Sequence, residues 1–302
     1  MPLSRYDFEV LAYLERKGRQ EYSIRDISDD LCISGAAIMK CLDELRQTGR
    51  IDVFGPEYCI TGKGLEVLEP YRVRRAVILA AGFGSRMMPA TADRPKPMVS
   101  VNGVRIIDTL LDALVKNGIT EITIVRGYKK EKLDELLIKY PFLRFIDNDD
   151  YAKTNNISSA VLALDEIREG CYICEADLYI TEPAVITKYQ YSSNILGSYS
   201  LETDDWSFRM KDGYISEYQK GNTYCYNYYG ISYWTPDDCK KLRRDFPDVF
   251  SEDGGKDVFW ELVPLVLRKD NYKVEIRQCR KQDIMEIDNY YELNQLDKSY
   301  TL

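Results

Sequence analysis

The chain has 302 residues, 45% hydrophobic and 30% charged, with a formal net charge of −8. That composition suits a folded globular protein, and the acidic balance argues against coating nucleic acid or an anionic membrane. There is no histidine, which excludes Ser-His-Asp and Cys-His catalysis and every histidine-dependent zinc site. Chemistry is left to carboxylates, Lys, Arg, Tyr or Cys. No apolar stretch approaches the roughly 20 residues of a membrane span, and MPLSRYDFEV carries no signal-like apolar core, so a cytoplasmic location is expected. The eight cysteines then read as reduced thiols rather than a disulfide framework.

Residues 1–70 are expected to form a small module of their own. Phe8, Leu11, Ala12 and Leu14 recur at helical spacing across Tyr6–Lys17. Ser23 is a suitable N-cap for Ile24–Leu31, and Ser34 for Gly35–Thr48, which Gly49 ends. RIDVFGPEYCIT (Arg50–Thr61) reads as two strands around a Gly-Pro turn, followed by a helix at Gly64–Glu69. Three helices and a hairpin resemble a winged helix-turn-helix module. Acidic and basic residues nearly balance here, and the candidate recognition helix carries Asp43 and Glu44 beside Lys40 and Arg46. Specific DNA binding is therefore not expected, since phosphate contacts supply much of a DNA reader's affinity. Docking, regulation or homodimerisation through this module fits better.

Residues 71–302 are expected to form the second domain. Strands at Ala76–Ala81, Glu121–Arg126, Leu143–Ile146 and Cys171–Glu175 alternate with helices at Ile106–Asn117 and Lys130–Tyr140. That order predicts an α/β fold with a doubly wound, mainly parallel sheet, whose ligands sit at the carboxyl ends of the strands. Asn194–Leu201, Trp206–Met210, Tyr214–Gln219 and Tyr226–Thr235 look antiparallel and predict a lobe over the parallel half. Cys171 and Cys174 lie three apart on one strand, so they face opposite sides and cannot readily chelate one metal.

The run VILAAGFGSRMMPATADRPKPM (Val77–Met98) falls at such a strand end. Leu79, Ala80, Ala81, Gly82, Gly84 and Ser85 let backbone N–H groups approach an anion closely. Arg86 and Lys96 can neutralise a polyphosphate and are the candidate catalytic cations. The run has neither the GK[ST] ending of a P-loop nor the third glycine of a dinucleotide fingerprint. Further on, Asp177 ends the strand CYICEAD and Asp288 ends IMEID, positions that suit a Mg²⁺ ion on triphosphate oxygens. Three tryptophans occur. Trp206 follows Asp204-Asp205 in a polar turn. Trp260 is expected to head a helix beside Asp257 and Glu261, and Trp234 to lie in a strand.

The string L-A-A-G-x-G-S-R-M with P-x-T and R-P-K-P resembles the signature of nucleotidyltransferases, which join a nucleoside triphosphate to a phosphorylated small molecule. The resemblance implies a nucleotide-diphospho-sugar transferase-like fold. The order of TNNISSAVLA, EADLYI, Asp-Trp, YYGISYWTP, DVFWELV and MEIDNYYEL from about Arg75 onward is similar to that of bacterial choline-phosphate cytidylyltransferases. That family implies Mg²⁺-dependent transfer of CMP from CTP to phosphocholine, giving CDP-choline and pyrophosphate. By that match Arg86 and Lys96 bind triphosphate, Asp177 and Asp288 the metal, and Trp206 and Trp260 the trimethylammonium, aided by Asp257 and Glu261. Some relatives are fused to a choline kinase, so fusion to or partnership with one is open. The alternatives are a sugar-1-phosphate nucleotidyltransferase, and a ligand-sensing regulator with a degenerate transferase domain.

Overall fold

The computed structural model describes residues 3–301, which divide into two compact units. One comprises residues 3–72 with a returning segment, Tyr189–Tyr191; the other holds Val73–Lys188 and the chain from Ser192.

The first unit runs α1 (Arg5–Lys17), β1 (Gln20–Glu21), α2 (Ile24–Leu31), α3 (Gly35–Gln47), β2 (Ile51–Phe54), β3 (Glu57–Ile60) and α4 (Gly62–Leu68). Each helix starts where a hydroxyl replaces a missing backbone partner. Ser4, Ser23, Ser34 and Thr61 accept from the N–H groups of Asp7, Asp26, Ala37 and Gly64. The strands pair in the order β1-β3-β2, all antiparallel, so the expected hairpin gains a short third strand. Phe8, Leu11, Leu14, Ile27, Ile38, Leu45 and Leu68 form the core, joined by Tyr189. On α3, Lys40 pairs with Glu44 one turn on, which holds that face near neutrality.

The second unit contains β4 (Arg75–Ala80), β5 (Ser100–Val101), β6 (Val104–Arg105), α5 (Ile106–Lys116), β7 (Glu121–Arg126), β8 (Arg144–Asp147), α6 (Ile157–Leu162), β9 (Cys171–Glu175) and β10 (Leu178–Ile180). It continues with β11 (Asn194–Lys211), β12 (Tyr214–Trp234), α7 (Pro236–Ser251), β13 (Glu275–Gln278), β14 (Ile284–Glu286) and α8 (Tyr290–Leu296). Seven strands form one sheet in the order β13-β11-β12-β9-β4-β7-β8. β4 runs parallel to β7 and β9, and β7 to β8, while β12 is antiparallel to β9 and β11.

Every residue of β4 is buried because the sheet is covered on both faces. Ala76, Ile78 and Ala80 pack into one layer and Val77 and Leu79 into the other. Cys171 and Cys174 likewise face opposite layers. Lys130–Ile138 forms 3₁₀ turns, not the expected α-helix. It starts after Lys129 in the left-handed region without a side-chain cap, and buries only Leu133 and Leu136, three apart, which suits a three-residue turn. The β11–β12 hairpin doubles back on itself: Asn227 pairs with Ser198 on one side and with Ser207 on the other. Its register breaks between Thr203 and Trp206, which frees that stretch from regular pairing.

Candidate active site

A cleft of ≈ 790 Å³ opens at the carboxyl ends of β4 and β9. Leu79, Ala80, Ala81, Gly82, Gly84, Ser85, Arg86 and Lys96 all line it. Gly84 has φ +61°, and a Cβ there would fall 2.8 Å from the Cβ of Lys96. The loop thus lies directly on the lysine, and only glycine fits without strain. Phe83 between the two glycines packs its ring on Tyr128 and Tyr151, centroids 5.5 and 5.0 Å away.

The far wall is acidic. Asp177 lies two residues past the end of β9, and β10 pairs with β14 so that Leu178 faces Glu286. This register carries Glu286 and Asp288 to Asp177, and the three offer oxygens all within 4.8 Å of one another. The helix that follows is capped by Asn289, whose side chain accepts from the N–H of Glu292. Glu286 is the member that sequence reasoning misses. Its signal is the strand period of two: Glu286 and Asp288 share a face of the chain.

The cations sit on these acids. Lys96 Nζ lies 2.9 Å from Asp177 Oδ2 and 3.6 Å from Asp288 Oδ1, and Arg86 lies 3.0 Å from Asp288 Oδ1. Burial disfavours the Lys96 ammonium, but the charge and hydrogen bond of Asp177, with Asp288 behind it, outweigh that and raise its pKa. Glu286 is pushed up to about 8 by burial, then by Asp177 and Asp288. Asp177 Oδ1 is buried without a hydrogen-bond partner. Three hard oxygen donors, one of them unsatisfied, fit a Mg²⁺ ion, which takes few protein ligands.

The β11–β12 lobe and the segment after α7 build the other end. Trp206 and Lys220 lie opposite one another in register, and both line the cleft with Asp204, Asp205, Tyr228, Phe259, Glu175 and Glu261. The Trp206 ring stacks on Tyr218 at 4.9 Å and meets the edge of Phe259 at 6.1 Å. Trp260 and Asp257 depart from expectation. Trp260 is fully buried against Trp234 and Phe246, away from the cleft. It lies in the turn that leads into a π-helical segment, Val263–Leu267; there Phe259 and Glu261 reach the cleft and Trp260 the core. Asp257 sits in a 3₁₀ turn outside the cleft wall, where its carbonyl accepts from Asn155. Trp234 is a core residue, its Nε1 donating to Ser232 at 2.9 Å.

A nucleotidyl transferase family model matches residues 75–145, which includes the glycine loop. A 2-aminoethylphosphonate cytidylyltransferase from Lancefieldella rimae is 36% identical over 80% of this chain and 97% of its own length. A choline-phosphate cytidylyltransferase from Streptococcus pneumoniae is 28% identical over 74% of this chain and 97% of its own length. The solved CTP:phosphocholine cytidylyltransferase from Streptococcus pneumoniae superposes with a TM-score of 0.69 at 27% identity, covering 76% of this chain and all of that one.

Proposed function

This chain belongs to the cytidylyltransferases of the nucleotidyltransferase family, and from that membership we propose that it transfers CMP from CTP to a small phosphate or phosphonate bearing a cationic amine. The charge of the cleft wall carries the reading. Seven carboxylates line it (Glu175, Asp177, Asp204, Asp205, Glu261, Glu286 and Asp288) against the three cations Arg86, Lys96 and Lys220. Both substrates of such a reaction are anions. An acidic wall facing them makes sense when the acids serve cations that arrive with the substrates: a metal on the triphosphate, and an ammonium on the acceptor. Phosphocholine and 2-aminoethylphosphonate both belong to that acceptor class.

Asp177, Glu286 and Asp288 would hold Mg²⁺, which when bound neutralises phosphate charge and orients the triphosphate. The glycine loop offers backbone N–H groups to the phosphates, and Arg86 and Lys96 stabilise charge that grows on the α-phosphate and the leaving group. Lys220 makes no ion pair among the described residues and is the cation we assign to the acceptor's own anion. The acceptor oxygen forms a bond to the α-phosphorus while the bond to the β-phosphate oxygen breaks, and pyrophosphate leaves with that electron pair. The attacking oxygen is already ionised, so no general base is required. A cleft without histidine suffices.

The N-terminal unit stands outside this chemistry. Its charge-matched α3 favours docking or dimerisation over duplex DNA. The test of the whole reading is pyrophosphate release from CTP, with Mg²⁺, in the presence of 2-aminoethylphosphonate, phosphocholine or glucose-1-phosphate. Turnover with an amine acceptor is expected. Turnover with the sugar phosphate alone rejects the reading.

A further inference from the structure

Glu261 is 3% exposed, yet it lines the acceptor end of the cleft. The Tyr218 hydroxyl donates to its Oε1 at 3.4 Å, while Oε2 is buried with no hydrogen-bond partner. Beside it the Tyr228 hydroxyl donates to Glu175 Oε1 at 3.3 Å. Glycine at position 230 makes the room for that carboxylate, since a Cβ there would lie 2.5 Å from Glu175 Oε2. Burial pushes Glu261 up to about 7. A buried carboxylate with one oxygen unpartnered is a standing cost unless a donor arrives to satisfy it.

We propose that Glu261, seconded by Glu175, accepts hydrogen bonds from a primary ammonium on the acceptor, so that the enzyme selects an unmethylated amine over a trimethylammonium. This rests on the cytidylyltransferase reading of the same cleft. A trimethylammonium carries the same charge but no N–H, so Glu261 Oε2 would stay unsatisfied beneath a layer of methyl groups. Of the two tryptophans expected to enclose it, Trp260 faces the core and only Trp206 meets the cleft, with Phe259 and Tyr228 beside it. A primary ammonium is strongly hydrated and must recover its hydrogen bonds on binding, which open carboxylate oxygens allow. Sites built to bond a substrate N–H reject analogues lacking it far more strongly than apolar pockets reject an extra methyl.

The experiment is a methylation series: 2-aminoethylphosphonate and its N-methyl, N,N-dimethyl and N,N,N-trimethyl derivatives at saturating CTP. In the wild-type enzyme kcat/KM should fall with each methyl, by about a hundredfold or more across the series, with KM for CTP constant. Glu261→Gln should compress the series to within about tenfold, mainly by slowing the primary amine. Rates that stay flat or rise with methylation overturn the proposal, as does a folded Glu261→Gln variant that keeps the full ratio. The wild-type series decides the matter even where the variant fails to fold. Absence of pyrophosphate release with every member would instead remove the cytidylyltransferase reading beneath it.

Discussion

Lys96 is held by the acids it must serve. With its side chain 9% exposed and two carboxylates within 3.6 Å, it neutralises a wall that would otherwise repel triphosphate. Lys96→Ala and Asp177→Ala are each expected to lower kcat by about a hundredfold or more while the protein stays folded, as steady-state kinetics beside circular dichroism would show. Near-normal turnover in either folded variant would remove that residue from the chemistry. The two tryptophans should separate cleanly. Trp206→Ala should raise KM for the acceptor about three- to thirtyfold and leave KM for CTP nearly unchanged. Trp260→Ala should act on the fold, at a cost of about 3–5 kcal/mol read from denaturant unfolding, because its ring fills the layer between Trp234 and Phe246. A Trp260 variant with full stability and weak acceptor binding would return that residue to the cleft.

Among the elements, strand ends decide the electrostatics. β9, β14 and the turn after α7 deliver Glu175, Glu286 and Glu261 to one wall, where burial favours the protonated form of Glu261. Glu261 ionises at about 7 in the fold, but at about 4.3 in an unfolded chain. Between those values the native protein binds more protons than the unfolded one, so stability falls as pH rises. No histidine titrates in that window to mask the effect. The Tm of the ligand-free protein is expected to drop by several degrees from about pH 5.5 to about pH 8, and Glu261→Gln should flatten the slope. A Tm that climbs across that range contradicts the assignment. The parallel strands and the glycine loop were legible because local patterns specify them: a buried apolar run, then small residues, then fixed cations. Glu261 was legible too and does line the cleft, but Glu286 was not, because its value comes from the β10–β14 register, which distant packing sets. Reading Trp260 as a cleft residue failed for the same reason, since a tryptophan flanked by polar residues does not reveal which way a turn will point it.

The whole molecule joins a catalytic unit to a smaller one. All residues of the cleft lie in the second unit. Removal of residues 1–72 should therefore preserve measurable transferase activity. The segment Tyr189–Tyr191 belongs with the first unit, where Tyr191 packs on Phe8 and Tyr71, so the truncation should be less soluble than the full chain. Complete loss of activity in a folded truncation would give the first unit a catalytic part. The central claim is chemical: CMP moves from CTP to an amine-bearing acceptor in the cleft of Lys96, Asp177, Glu286 and Asp288. Phosphorus NMR of the full chain with CTP, Mg²⁺ and 2-aminoethylphosphonate tests it most directly, with Asp177→Ala alongside. The account predicts a new CMP-linked phosphonic–phosphoric anhydride and equimolar pyrophosphate from the wild-type protein, and neither from the variant. Product formation that survives Asp177→Ala, or that requires glucose-1-phosphate in place of the amine, would contradict it.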